Sequence, residues 1–233
     1  NGTTHWGGNG NGMDCAAPGV YGLGCQFDGV DDYIEAPDSP QLKTFNSFTV
    51  SAWVYWKGGG QNLQNILSYM NYPTKGYRLF YYNNGSVQLS VGNGAGDQNV
   101  LTRAGALPIN KWAYITGVYD GSTLKIYING QTAASATVSG VMAPSSGRPL
   151  TIGAYDNTEI INGFLDDIFI YGYARTAAQI LSDYNSASFP ILYLPFEDNV
   201  SGNSKILIDA SGNENNGTTH WGGNGNGMDC AAP

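Results

Sequence analysis

Carboxylates gather at three places in this chain, and each could hold a hard cation. Asp28, Asp31 and Asp32 cluster in FDGVDDY, Asp166 and Asp167 adjoin in GFLDDIFIY, and Asp209 shares the loop DASGNENNG with Asn213. Oxygen ligands of this kind suit calcium; Asp, Asn and Gly are equally the residues that form turns. DASGNENNG does not follow the spacing of an EF-hand loop. If residues 163–171 form a strand, alternation puts Asp166 on the face of Ile168 and Ile170, and Asp167 on the face of Phe169. A carboxylate on an apolar face requires a cation or hydrogen-bond donors, which singles out Asp166.

Acid–base chemistry is thinly supplied. Residues 1–18, NGTTHWGGNGNGMDCAAP, return unchanged as residues 216–233, so His5 and His220 are one position seen twice. The glutamates are Glu35, Glu159, Glu197 and Glu214. No nucleophile stands beside a base; Asp31 and Asp166 are the carboxylates that could meet in space for glycoside chemistry. The expectation is that this is not an enzyme. Aromatic chemistry is better supplied, with Trp53, Tyr55, Trp56, Tyr77, Tyr81, Tyr82 and Tyr127 as candidates for a sugar-stacking surface. The same residues serve equally as sandwich core.

The duplicated leader organises the rest. Its two copies start at Asn1 and Asn216, a period of 215 residues. Solenoid repeats run roughly 20–50 residues, so each unit here is a whole domain in a tandem array; an overlap introduced in cloning is the other origin of such identity. Of the three cysteines, Cys230 is the second copy of Cys15, leaving each unit with Cys15 and Cys25. Two cysteines ten apart in a turn-rich stretch read as a disulfide loop in an oxidising, extracellular setting, or as two buried thiols. Sequons stand at Asn84, Asn199 and Asn216. Charged residues make up 12% of the chain, against about 25% in an average protein, and the formal net charge is -8 with ten Lys plus Arg. Such a surface gives no footprint for nucleic acid or anionic lipid, and no apolar run reaches the roughly 20 residues of a membrane span, so neither nucleic acid nor membrane insertion is expected.

Alternation and turn signals point to strands almost throughout. Residues 26–34 read as strand, Asp-Gly turn, strand. Residues 48–56 alternate cleanly, with Phe48, Val50, Ala52, Val54 and Trp56 on one face. Residues 66–69, 77–82, 87–91, 112–119, 124–128, 150–154 and 163–171 follow, punctuated by Asn-Gly and Asp-Gly turns. The one helix spans 177–184, with Thr176 and Gln179 as a capping box. The fold class is therefore all-β, a two-sheet antiparallel jelly-roll sandwich with one short helix.

The phrases FDGVDDYIEAPDSPQL, FTVSAWVYW, KWAYITGVYDGSTLKIYING, PLTIGAYDN and GFLDDIFIYGYARTAAQI, in that order, resemble the laminin-G-like, concanavalin-A-like jelly roll of prokaryotic extracellular proteins. The resemblance implies that a domain opens with a segment like ILYLPFEDN and DASGNENNGT, which here lies at 191–218. The expected layout is thus a body at 1–184, a linker at 185–190, and the opening segment of the next unit at 191–233. A closed, circularly permuted monomer, with Cys230 bonded to its own Cys25, is the alternative. The resemblance further implies a structural calcium ion, for which Asp166, Asp209, Asp28 and Asn213 are the candidate ligands. Glycan-hydrolysing relatives of this fold carry an E-x-D-x-E pattern on one strand, and this sequence has none. The leading functional expectation is a non-catalytic unit of a repeated extracellular protein, in a surface adhesin or filament with neighbouring copies as partners. The alternative is a carbohydrate-binding module, attached to a glycan-degrading enzyme.

Overall fold

The computed structural model describes residues 3–5, 13–43, 46–145, 147–186, 206–207 and 217–218. The chain divides into two compact units, Asn1–Tyr184 and Asn185–Pro233. Strands follow one another along the first unit: β1 (Thr3–His5), β2 (Asp14–Pro18), β3 (Leu23–Asp28), β4 (Tyr33–Ala36), β5 (Phe48–Trp56), β6 (Leu63–Asn71), β7 (Lys75–Tyr82), β8 (Val87–Asn93) and β9 (Asp97–Leu101). They continue with β10 (Trp112–Tyr119), β11 (Thr123–Ile128), β12 (Gln131–Thr137), β13 (Leu150–Ile152) and β14 (Asn162–Tyr171), before helix α1 (Ala177–Ser186). In the second unit, β15 (Ile206–Leu207) pairs antiparallel with β16 (Gly217–Thr218).

Two seven-stranded sheets form the sandwich. Sheet I runs β1-β4-β13-β6-β7-β8-β9 and sheet II runs β12-β11-β10-β5-β14-β3-β2. This is the expected all-β jelly roll. Strand β5 is central to sheet II because its alternation is uninterrupted: Phe48, Val50, Ala52, Val54 and Trp56 all enter the core that fills the space between the sheets. From sheet I that core receives Leu67, Tyr69, Tyr77, Leu79, Tyr81, Leu89 and Val91. The hairpin from β11 to β12 turns at Asn129 and Gly130, whose φ of 51° and 75° are the left-handed pair that a tight two-residue turn demands.

Two expectations about local geometry are corrected. Residues 26–34 do not form a hairpin: β3 belongs to sheet II and β4 to sheet I, so the Asp-Gly turn is a corner where the chain crosses between sheets. The alternation of 163–171 does not run through either. Strand β14 pairs Asp166 with Trp53 but Phe169 with Ser51, so one extra residue is inserted opposite β5. This bulge contains Asp167 at φ 45°, a left-handed position that aspartate tolerates better than most side chains. Asp166 therefore lies on the outer face with Trp53, Phe169 and Tyr171, while Ile168 and Ile170 pack against the core.

Helix α1 closes the outer face of sheet II. A helix of ten residues is marginal alone, and packing holds this one: Ile180 is fully buried against Val118 and Tyr127, a burial contributing about 1.5–3 kcal/mol. Tyr184 packs on Trp53, with ring centroids 5.7 Å apart. The capping box forms, the Gln179 N–H donating to Thr176 Oγ1 and the Thr176 N–H to Gln179 Oε1.

Candidate cation site and aromatic faces

The acidic corner between β3 and β4 is built locally. Asp28 Oδ1 accepts the N–H groups of Val30 at 2.8 Å and Asp31 at 3.4 Å, the usual way an aspartate closes its own turn. Gly29 makes that turn possible at φ 82°, where a side chain would be strained and its Cβ would press on Asn162. Asp32 folds back beneath, its Oδ2 accepting the Asp28 N–H at 3.0 Å. One carboxylate oxygen from each of Asp28, Asp31 and Asp32 then lies within 4.8 Å of the other two. Asp32 is 1% exposed. Burial pushes its carboxyl up to about 6; the backbone N–H of Asp28 opposes that shift, the charges of Asp28 and Asp31 add to it, and the Met13 N–H opposes it again.

Asp31 Oδ1 and Asp32 Oδ1 are both buried and accept no hydrogen bond. Two buried carboxylate oxygens without partners are the donors a calcium ion takes, since it coordinates oxygen and offsets the repulsion of the carboxylates around it. The residues present fit that ion, which would be held by Asp28, Asp31 and Asp32 and would supply positive charge at the corner where the sheets meet.

The set expected from sequence is not brought together. Pairing of Asn162 with Asp28 and Leu165 with Cys25 leaves Asp166 level with Gly24, four residues along β3 from Asp28, or roughly 13 Å at strand rise. Asp166 also has its donors: Oδ2 accepts the N–H groups of Val20 at 2.7 Å and Tyr21 at 3.0 Å, and Oδ1 accepts that of Asp167 at 2.8 Å. Gly19 permits this cradle, because a Cβ there would stand 2.3 Å from Asp166 Oδ2. Asp166 thus ties the turn between β2 and β3 to β14. Burial, followed by the charge of Asp166, raises the carboxyl of Asp167; burial and then the charges of Asp167 and Asp166 push the Tyr21 phenol up to about 12. Asp209 and Asn213 lie outside the described residues, as do Cys230, His220, Asn199 and Asn216. Asn84 is exposed on the turn after β7, its Oδ1 accepting from the Ser86 backbone and hydroxyl. Cys15 and Cys25 form a disulfide between β2 and β3, beside the irregular pairing of 14–17.

Most of the aromatics singled out from sequence are packing residues. Trp56, Tyr77 and Tyr81 are in the inter-sheet core. Trp53, 7% exposed, and Tyr127, 5% exposed, lie on the outer face of sheet II but beneath α1. Tyr55 remains half-buried on that face, edge-on to Trp112 and Phe164, and Tyr82 is half-buried on sheet I. The open aromatic surface is elsewhere. Phe169, Tyr171 and Tyr173 follow at every second position, with centroids 6.1 Å and 5.7 Å apart, and Phe169 and Tyr173 are 44% and 48% exposed. The Arg175 guanidinium sits 4.5 Å over Tyr171 and pairs with Asp183 at 2.5 Å, fixing one end of the row against α1. The alternating F-x-Y-x-Y, opposite Ile168 and Ile170, was visible in the sequence; what was not visible is that α1 would cover Trp53 and Tyr127 and leave this row exposed.

A sequence model for laminin-G-type domains of the concanavalin A-like lectin/glucanase superfamily matches residues 28–181. Pappalysin-1 of Homo sapiens is 30% identical over 77 residues, which cover 31% of this chain and 5% of pappalysin-1. Among solved structures, one of botulinum neurotoxin type C superposes with a TM-score of 0.62 at 14% identity, over 81% of this chain and 47% of that one. The binding domain of Paraclostridial Mosquitocidal Protein 1 gives 0.61 at 17% identity, over 89% and 50%. The binding domain of botulinum neurotoxin serotype G gives 0.61 at 18%, over 87% and 48%. The chain therefore spans about half of each solved relative, and at these identities the likeness is one of fold.

Proposed function

The chain belongs to the concanavalin A-like lectin/glucanase superfamily through residues 28–181, and from that premise we propose that it is a non-catalytic, carbohydrate-binding unit of a repeated extracellular protein, stabilised by calcium at the Asp28, Asp31, Asp32 corner. The observation that carries the binding function is the exposed row Phe169, Tyr171, Tyr173. The C–H face of a sugar ring buries apolar surface on such rings, while its hydroxyls stay hydrated or reach the Arg175 guanidinium. A chain with few charges and many hydroxyl and amide side chains suits a neutral, polyhydroxylated partner. Two structural neighbours point the same way: cell entry of botulinum neurotoxin type C is dependent upon interaction with two ganglioside molecules, and the binding domain of botulinum neurotoxin DC is in complex with SialylT.

A non-catalytic role draws support from the separation of Asp31 and Asp166, which stand toward opposite ends of β3. An extracellular setting draws support from the Cys15–Cys25 bond, and no helix among the described residues is long and apolar enough to cross a membrane. The array reading rests on the identity of 1–18 with 216–233, and makes 191–233 the opening of the next unit in an adhesin or filament. A spacer role without any ligand is the second reading, favoured by the burial of Trp53, Trp56, Tyr77, Tyr81 and Tyr127.

Polysaccharide pull-down and glycan-array binding in millimolar calcium separate the two. Saturable retention, lost in the Phe169→Ala/Tyr173→Ala variant with the melting temperature unchanged, is the expected result. Absence of retention on every glycan leaves the spacer.

A further inference from the structure

Sheet II is incomplete beside β14. Strand β3 pairs with β14 from Asn162 opposite Asp28 to Leu165 opposite Cys25, and β3 begins at Leu23, so it runs out beside Asp167. The turn that precedes β3 does not continue along β14. It lifts onto the outer face, where Val20 and Tyr21 donate to Asp166 and the Tyr21 ring meets Trp53 edge-on at 6.1 Å. Residues 169–171 therefore ladder with β5 on one side and, among the described residues, with nothing on the other. Alternate backbone groups of that stretch point into the gap.

The gap is apolar all the way in. Ile168 and Ile170 face the core yet stay half-buried, and Leu23 is 65% exposed. Behind them, between the sheets, lies a cavity of about 160 Å³ whose walls include Leu23, Cys25, Ile34, Ile152, Leu165 and Ile168. An apolar cavity of about 150 Å³ holds a benzene-sized group, so this one takes a single large apolar side chain. The outermost strands of the sandwich are built differently. Strand β9 carries Asp97, Gln98 and Asn99, and β12 carries Gln131, Thr132 and Ser135, polar rims that discourage further pairing. Residues 168–171 read Ile-Phe-Ile-Tyr and carry no charge.

We propose that this edge accepts an added strand, and that its occupant is residues 191–196, Ile-Leu-Tyr-Leu-Pro-Phe, of a second copy of this unit. The identity of 1–18 with 216–233 puts that segment upstream of the leader throughout an array, and the leader ends at Pro18, where the turn that vacates the gap begins. Alternation sets Leu192, Leu194 and Phe196 on one face, an apolar set for a seam lined by leucine and isoleucine. Pro195 has no N–H to donate, and the backbone groups of 191, 193 and 195 share one side of a strand. Only the side of 192, 194 and 196 can ladder without loss, which suits a strand that gains one neighbour. The proposal rests on the array reading above and names the contact that joins its units; it does not depend on glycan binding.

The test is sedimentation velocity of the full chain from micromolar to millimolar, in a Cys230→Ser background so that no intermolecular disulfide contributes. Head-to-tail addition is heterologous, so the protein should lengthen with concentration into open chains or a closed ring. Leu194→Asp spoils the donor and Ile168→Asp the acceptor, and each should weaken association by about a hundredfold or more. Mixed in equal amounts, the two variants should form a dimer and stop, because one intact strand meets one intact edge. Melting of each variant separates a lost contact from a lost fold. If Ile168→Asp unfolds, hydrogen exchange of the unsubstituted edge takes its place, with protection of the 168–171 amides rising with concentration. Association that survives both substitutions, or exchange at 168–171 that ignores concentration while the protein associates, overturns the edge and leaves the array standing. A protein monomeric throughout overturns the proposal; if 168–171 are then protected and Leu194→Asp exposes them, the strand has closed its own chain and the array reading falls as well.

Discussion

Removing the buried charge at Asp32 should make the calcium-free protein more stable, not less. The carboxyl is raised from 3.8 to about 6 by burial, which at ~1.36 kcal/mol per unit is about 3 kcal/mol held against the folded state once Asp32 ionises. Relaxation of the corner and entry of water reduce this to on the order of 1–3 kcal/mol. Below the unfolded value both states are protonated and the penalty is absent. Between 3.8 and about 6 the folded state keeps a proton that the unfolded state has lost, so stability falls as pH rises through that window and levels off above it. Asp32→Asn retains an acceptor for the Asp28 N–H and abolishes the titration, and should raise the melting temperature at neutral pH in chelator by roughly 3–9 °C. Calcium acts on the same groups in the opposite direction: at a hundredfold excess over its dissociation constant it returns about 2.7 kcal/mol to the wild type, only where the ligands are ionised, and less to the variant, which keeps an oxygen ligand but loses one negative charge. The assay is a set of thermal melts from about pH 4 to about pH 7 with chelator or millimolar calcium. A wild-type profile flat across that range in chelator, or a variant melting no higher than wild type, would refute the burial argument; calcium raising both proteins equally would refute the site.

Three further outcomes follow from single contacts. Reducing the Cys15–Cys25 bond, which closes a ten-residue separation, should cost about 3 kcal/mol of stability, and an unchanged melt in reductant would show that the leader contributes nothing to the body. Asp166→Ala strands the N–H groups of Val20, Tyr21 and Asp167, a loss on the order of 3 kcal/mol that Asp166→Asn should partly restore; equal melts for the two variants would mean the cradle is not what Asp166 provides. Thr176→Ala should cost about 1 kcal/mol by opening the capping box and should change Trp53 fluorescence, because the Tyr184 ring rests on that indole; a stability loss with unaltered fluorescence would place the helix elsewhere.

Where the sequence could be read and where it could not depends on how far apart the interacting residues lie. Strand β5 was legible residue for residue, because each inward position from Phe48 to Trp56 is apolar and nothing interrupts the period of two. The Asp-Gly signal at 28–29 was real, yet local turn chemistry does not say which sheet takes the next strand, and the supposed hairpin became a corner. Strand β14 shows the sharper limit: Ile168 and Ile170 keep the core face and Phe169 and Tyr171 the outer one, as alternation predicts, but one inserted residue after Asp166 breaks the period and carries Asp166 off the face of Ile168 to the outer side. The same distinction governs the sites. Asp28, Asp31 and Asp32 fall within five positions, so their convergence could be suspected from spacing, whereas joining Asp28 to Asp166 required a register that β3 and β14 do not adopt. Arg78, Asn65 and Glu159 come from two strands and a loop, and no spacing announces their contact. Only the fold makes them neighbours, by pairing β6 with β7 and bringing Glu159 against both strands.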